Sequence, residues 1–267
     1  MFPLEDVLEV EFKFVPDQPE STIVAEQAAL FGADYGYVKW PPCVNFDIYL
    51  DTPDLALHHA GTPLRLRRWG TPFKVKAGVS SNFKYPREPG EGLHRRELKT
   101  ILSEQDAAEV CAGAIIGDSL EHAAKMAGIE PDGPVRFAPQ LMISTYCSIY
   151  VLRRRSAPPA SELLRGKEAD LLLLSFEHCA IQSIPAHNVA RLVRNGMYDL
   201  DPARPVAELF EAELEIVATP ENFATAARLY SAAFHAVRDS GAEMPERSKY
   251  TAAVQAVLAQ KARDARQ

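Results

Sequence analysis

Four cysteines are spread over 267 residues, at positions 43, 111, 147 and 179, and no two form a CxxC pair. That scatter excludes the dense disulfide framework of small secreted domains and leaves buried, reduced thiols as the ordinary reading. No apolar run approaches the roughly 20 residues that a membrane helix needs, so no membrane partner is expected. The opening residues Met1-Phe2-Pro3-Leu4-Glu5-Asp6 lack a basic stretch followed by an apolar one, so no signal peptide is expected and a cytoplasmic location follows. Basic residues are the minority, 29 against 36 acidic, for a formal charge of -7. A broad cationic surface for nucleic acid is thereby excluded, although a local basic pocket is not. GxxxxGK[ST] and GxGxxG are both missing, so any phosphate is held by another device. Seven histidines (58, 59, 94, 122, 178, 187 and 235) include no pair at zinc-site spacing, and only His178, beside Glu177, has a suggestive neighbour.

With 47% apolar and 24% charged residues, the chain has enough apolar content for a sizeable core, and 1–267 reads as one domain. Period-two segments bounded by Pro and Gly predict strands near 7–15, 44–51, 63–69, 72–78 and 92–99. Between the last two, the stretch 80–92, with Pro86 and Pro89, reads as a loop able to serve as a lid. Ser103 is placed as an N-cap opening a helical insertion at about 103–130, whose second helix lies near 118–128. Strands resume near 141–155, 170–182 and 206–217, with an irregular stretch around 184–205. C-terminal helices span about 220–264, in two pieces near 220–239 and 248–264.

The strands carry charge where a core face belongs. In Leu8-Glu9-Val10-Glu11-Phe12-Lys13-Phe14 the side chains alternate, so Glu9, Glu11 and Lys13 share one face and Val10, Phe12 and Phe14 the other. A single strand of this kind fits any half-exposed antiparallel sheet. The pattern recurs, however, at Arg65/Arg67, at Lys74/Lys76, at Arg95/Glu97/Lys99, at Arg153/Arg155 and at Glu211/Glu213/Glu215. Three carboxylates at i, i+2 and i+4 repel unless cations sit among them. Faces so purely ionic, and sorted by strand into acidic and basic, point to a closed barrel that is ionic inside and apolar outside. Its acidic strands would hold divalent cations, its basic strands a polyanion, and helices would cover its outer face.

Glu9-x-Glu11-x-Lys13 resembles the ExExK signature of the CYTH superfamily, the triphosphate tunnel metalloenzymes. Phe46-Asp47-Ile48-Tyr49-Leu50-Asp51-Thr52-Pro53-Asp54 is similar to that family's tyrosine-x-Asp-Thr-Pro-Asp segment. Gly61-Thr62-Pro63-Leu64-Arg65-Leu66-Arg67 is similar to its LRxR strand, Phe73-Lys74-Val75-Lys76 to its lysine strand, Glu211-x-Glu213-x-Glu215 to its late ExExE strand, and Ser248-Lys249 to its C-terminal serine-lysine. The matches run in family order from residue 9 to residue 250. The resemblance implies an α+β fold, a closed eight-stranded antiparallel β-barrel (a triphosphate tunnel) with helices packed outside. It also implies a small-molecule triphosphate substrate and Mg²⁺ or Mn²⁺, as two ions.

Carried over position by position, it makes Glu9, Glu11, Lys13, Glu211 and Glu213 the catalytic set. Metal would be held by Glu9, Glu11, Glu211, Glu213 and Glu215. Phosphate would meet Lys13, Arg65, Arg67, Lys76, Arg95, Lys99, Arg153, Arg155 and Lys249, with Arg as a fork and Lys as a point charge. Where the family has an aspartate in its seventh strand, this chain has Glu177, which either serves as a longer-reaching metal ligand or leaves that place vacant. Hydrolysis of inorganic triphosphate or a small organic triphosphate is the expected activity. A class IV adenylate cyclase and a non-catalytic polyphosphate or nucleotide sensor are the alternatives. Trp40 and Trp69 are open to stacking on an organic moiety or to simple packing, and a homodimer of two tunnels is compatible with the sequence.

Overall fold

The computed structural model describes residues 4–71, 74–75, 79–86, 94–130, 133–157, 169–184, 205–245 and 247–266. The strands are β1 (Leu4–Phe14), β2 (Tyr35–Asp51), β3 (Leu64–Thr71), β4 (Lys74–Val75), β5 (Val79–Lys84), β6 (His94–Leu102), β7 (Ala138–Arg154), β8 (Asp170–Ser183) and β9 (Ala207–Ile216). The helices are α1 (Glu20–Phe31), α2 (Ala56–His59), α3 (Glu104–Cys111), α4 (Asp118–Met126), α5 (Phe223–Asp239) and α6 (Lys249–Asp264). Eight strands follow one another in the order β2-β7-β8-β9-β1-β6-β5-β3, and β3 pairs back onto β2, so the sheet closes into a barrel. Every pairing is antiparallel, and β4 only extends β3 by two residue pairs. Closure leaves the eight-stranded ring without a free edge.

Alternation decides which residues face outward. Val10, Phe12 and Phe14 of β1 join Leu172, Leu174 and Phe176 of β8 in a cluster covered by α1 and α5. Phe12 is its centre, meeting Tyr230 and Phe234 of α5 edge-on with ring centroids 5.3 Å away in each case. On the other side Ile48, Leu50, Leu64, Leu66, Phe83 and Leu98 pack beneath Val110 of α3 and Leu120 and Ala123 of α4. Each such large side chain contributes about 1.5–3 kcal/mol on burial. Ser103 caps α3 as expected, accepting from the Asp106 N–H while Asp106 accepts from the Ser103 N–H.

A third cluster lies on the inner face of the barrel. Tyr49, Leu141, Ile143, Cys179 and Ile181 meet Tyr250, Ala253, Val254 and Val257 of α6, which floors that part of the interior with apolar side chains. Helix α6 therefore presents its first turn, Ser248 and Lys249, to the space above that floor.

Three segments depart from the sequence-based expectation. The stretch read as a loop from residue 80 begins as strand β5, inserted between β3 and β6. Ser80, Ser81 and Asn82 resemble turn residues, yet all three are buried and bonded: Ser80 Oγ to Asn82 Oδ1 at 2.8 Å, Ser81 to Ser119 of α4, and Asn82 Nδ2 to Glu97 at 3.0 Å. The rest of the proposed lid, 87–92, lies outside the described residues. Strand β2 starts nine residues before 44, and its register with β7 shifts between Trp40 and Cys43. Pro41 and Pro42 fall in that gap, and having no N–H they cannot continue a ladder. Helix α1 has no counterpart in the sequence-based expectation, because its buried stripe of Ile23, Gln27 and Phe31 contains a polar residue, whose Oε1 accepts from Tyr37 Oη at 2.7 Å.

Candidate functional site

The inward faces of the eight barrel strands and the first turn of α6 enclose one cavity. Its wall includes Glu9, Glu11 and Lys13 (β1), Tyr49 (β2), Arg65 and Arg67 (β3), Asn82 and Lys84 (β5), Arg95 (β6), Glu177 (β8), Glu213 and Glu215 (β9) and Lys249 (α6). Residues far apart in sequence are held together by register: Lys13 lies opposite Glu213, Glu11 opposite Glu215, Glu177 opposite Glu211, and Asp47 opposite Arg67. Glu177 facing Glu211 on adjacent strands is a like-charge pair that needs a cation to offset it.

One side of the cavity is acidic. Carboxylate oxygens of Glu177, Glu211 and Glu213 all lie within 4.8 Å of one another. Two lysines enter this cluster. Lys249 Nζ donates to Glu177 and lies 3.0 Å from Glu211 and 3.2 Å from Glu213, while Lys13 Nζ bonds Glu213 and lies 3.5 Å from Glu211. Burial disfavours charge on Glu177, but Lys249, Lys13 and Arg67 outweigh it and hold the carboxyl below its ordinary range. The Glu11 carboxyl is likewise held low, burial being overcome by Lys13, Lys84, Lys249 and Arg65. An all-carboxylate donor set of this kind suits a hard divalent cation.

The opposite side is basic and internally braced. Arg67 forks onto Asp47, Nε to Oδ1 at 2.7 Å and Nη2 to Oδ2 at 2.6 Å, and Arg65 lies 3.4 Å from Asp47 and 3.5 Å from Glu97. Lys84 pairs with Glu9. Arg95 is turned by two carbonyls, Tyr85 O at 2.9 Å and Gly61 O at 2.8 Å, the latter offered from a glycine at φ +68°. Glu9 behaves unlike its neighbours: burial pushes its carboxyl up to about 8, Lys84 opposes this, and Glu97 and Glu11 reinforce it.

Of the residues singled out from sequence, Glu9, Glu11, Lys13, Arg65, Arg67, Arg95, Glu177, Glu211, Glu213, Glu215 and Lys249 come together here. Others do not. Arg153 shares the inward parity but closes on Asp170 at 2.7 Å, outside the cavity wall. Arg155 lies one residue past the end of β7, is exposed, and donates to Tyr35 O at 2.9 Å. Lys99 follows Glu97 on the same strand face and is not part of the wall. Lys76 lies outside the described residues. Lys84 and Asn82 are additions, hidden from sequence reasoning because their strand resembles a loop. Asp47 is another, buried as the counter-ion of Arg67.

No protein-family signature matches this chain, and no curated protein matches it in sequence. Solved structures do match in shape. One is a putative adenylyl cyclase from Hippeastrum described as having a dominant triphosphatase activity, at 15% identity, covering 92% of this chain and 95% of that chain, with a TM-score of 0.51. Another is a putative adenylate cyclase from Bacillus halodurans, at 16% identity over 91% of this chain and 96% of that chain, with a TM-score of 0.49. The barrel architecture is therefore shared with the Hippeastrum protein. Among the described residues, no helix is long and apolar enough to cross a membrane.

Proposed function

We propose that this chain, which has the closed triphosphate-tunnel fold of the CYTH superfamily, binds a small triphosphate in its tunnel and hydrolyses it with the aid of Mg²⁺ or Mn²⁺. The observation that carries this reading is one cavity in which a carboxylate cluster faces a wall of arginine and lysine.

Charge balance supports it. Glu9, Glu11, Asp47, Glu97, Glu177, Glu211, Glu213 and Glu215 are eight carboxyl groups beside six cations, Lys13, Arg65, Arg67, Lys84, Arg95 and Lys249; with Glu9 held up at about 8 and so mostly protonated at neutral pH, the site still carries a net negative charge. A polyanion gains little from a site of that charge alone, and binding it calls for divalent cations alongside. Glu177, Glu211 and Glu213 would hold one, with Glu215 at its edge; Glu9 and Glu11 would hold a second. Such ions supply charge neutralisation on the phosphate oxygens and a lowered pKa for a bound water.

The protein's own groups account for the remainder. Arg65 and Arg67 are pre-aimed by Asp47 and Glu97, so they meet phosphate oxygens with little reorganisation. Lys13 and Lys249 sit among the carboxylates and would turn to phosphate when cations take their place. No serine or cysteine nucleophile is required.

The test is phosphate release from inorganic tripolyphosphate, ATP and thiamine triphosphate, each with Mg²⁺, with Mn²⁺ and with chelator, while the ATP reaction is assayed for cyclic AMP. Metal-dependent phosphate release supports the hydrolase and names its substrate. Cyclic AMP and pyrophosphate in place of phosphate would show a cyclase, and binding without turnover a sensor.

A further inference from the structure

Two cysteines in the cavity wall take no part in the charge scheme above. Cys43 of β2 and Cys147 of β7 are direct partners across the antiparallel ladder, and both face the cavity. Directly opposed residues of an antiparallel pair have Cα atoms about 4.5–5.5 Å apart, inside the roughly 4.4–6.8 Å span of disulfides. Both side chains line the same cavity wall from directly opposed positions, and Cys43, burial and Glu177 together push the Cys147 thiol up, so Cys147 acts as the second thiol and not the first. Cys147 Sγ also receives Asn45 Nδ2 at 3.6 Å and donates toward Glu177 Oε1 at 3.8 Å. The remaining cysteines have no such partner relationship: Cys179 accepts from Thr145, and Cys111, the last residue of α3, is buried in the outer core.

We propose that Cys43 and Cys147 are a reversible oxidation site, forming an intrachain disulfide across the tunnel wall when the protein meets a peroxide. Cys43 is the partly exposed member and Cys147 is 2% exposed, so the oxidant reaches Cys43 first. The Cys43 sulfur attacks one peroxide oxygen, the O–O bond breaks, and Cys43 becomes a sulfenic acid with release of water. The Cys147 sulfur then attacks the sulfenyl sulfur; the S–S bond forms, the S–O bond breaks, and hydroxide leaves with the Cys147 proton as a second water. Two thiols and one hydrogen peroxide thus give one disulfide and two waters. Cys43 immediately follows the Pro41–Pro42 irregularity, so the bond would staple β2 to β7 where their ladder is interrupted. It would also remove the thiol hydrogen that Cys147 directs at Glu177.

This proposal stands apart from the triphosphatase reading, and its test needs no turnover. The intact, natively folded chain is treated with hydrogen peroxide, remaining thiols are alkylated, and peptides are mapped by mass spectrometry without reduction. The expected result is a Cys43–Cys147 cross-link lighter by two hydrogens, reversed by dithiothreitol, with Cys111 and Cys179 alkylated. In Cys147→Ser the same treatment is expected to leave Cys43 as a sulfenic or sulfinic acid. Wild-type protein in which Cys43 is over-oxidised while Cys147 stays alkylatable, or in which neither thiol reacts, would overturn it.

Discussion

The Tyr250 hydroxyl donates to Asp51 Oδ2 at 2.7 Å, tying the second residue of the last helix to the last residue of β2. Asp51 is fully buried and also accepts from the backbone N–H groups of Thr52, Leu57 and His58, so one carboxylate fixes the start of α2 and the start of α6 together. The Tyr250 ring stacks on Tyr49 with centroids 4.7 Å apart. Lys249 is thereby held at the carboxylate cluster by contacts made one residue away.

Tyr250→Phe keeps the ring and its stack but deletes the hydroxyl. The loss is expected at about 1 kcal/mol of stability, because Asp51 retains its three backbone donors. The sharper expectation concerns Lys249: with its helix start loosened, kcat/KM for the triphosphate should fall more than the melting temperature suggests. Wild-type kcat/KM alongside a lowered melting temperature would show that the bond stabilises without positioning.

A divalent cation at the Glu177, Glu211 and Glu213 cluster should be visible without any substrate. At a hundred times its dissociation constant it stabilises by about 2.7 kcal/mol, or roughly 5–10 °C for a chain of this size. Thermal melts with Mg²⁺, with Mn²⁺ and with chelator measure the shift. In Glu211→Gln/Glu213→Gln the shift should shrink to what an ion at Glu9 and Glu11 supplies; an equal shift in that double variant would show that no ion binds at this cluster.

Asp47 offers a prediction about acid stability. Burial opposes its charge, but Arg67 and Arg65 prevail and hold its carboxyl below the ordinary range in the folded chain. A carboxylate with a depressed folded pKa contributes stability above its unfolded value, about 3.9, and loses it as pH falls through the lower folded value. Asp47→Asn should therefore cost about 3 kcal/mol at neutral pH, largely through the unpaired guanidinium of Arg67. The wild-type and variant melting curves should converge at pH values below about 4. Curves that stay parallel down to about pH 2 would show that the Asp47 charge contributes nothing.

What the sequence discloses and what it hides divide along a physical line. Charged alternation is written into β1, β3 and β9, so Glu9, Glu11, Arg65, Arg67, Glu211 and Glu213 are legible from the order of residues alone. The eight-stranded closure follows from the same faces and from the family resemblance. Strand β5 is hidden because Ser80, Ser81 and Asn82 have turn-like chemistry, and the partners Ser119 and Glu97 lie 38 and 15 residues away from Ser81 and Asn82. Arg153 and Arg155 show the reverse error: alternation gives a parity but not a position along the tunnel, and neither parity nor motif marks where β7 ends. Trp40, open to two readings, packs beside Ile149 and Val151.

Lys84 is one of the residues that only the structure supplies, and it separates two roles. Its ammonium pairs with Glu9, and Glu11, Glu97 and Glu9 together raise its pKa against the lowering effect of burial. If it serves only to neutralise Glu9, Lys84→Met should lower stability while leaving KM for the triphosphate unchanged. If it also meets phosphate, removing one charge-assisted contact of about 1.5–3 kcal/mol should raise KM by roughly ten- to a hundredfold. We expect the second outcome, because Lys84 lines the same cavity wall as Arg65 and Arg67. Lys84→Arg, which keeps the charge, should recover most of the loss. A KM unchanged in Lys84→Met would remove Lys84 from the phosphate site and leave it as the counter-ion of Glu9.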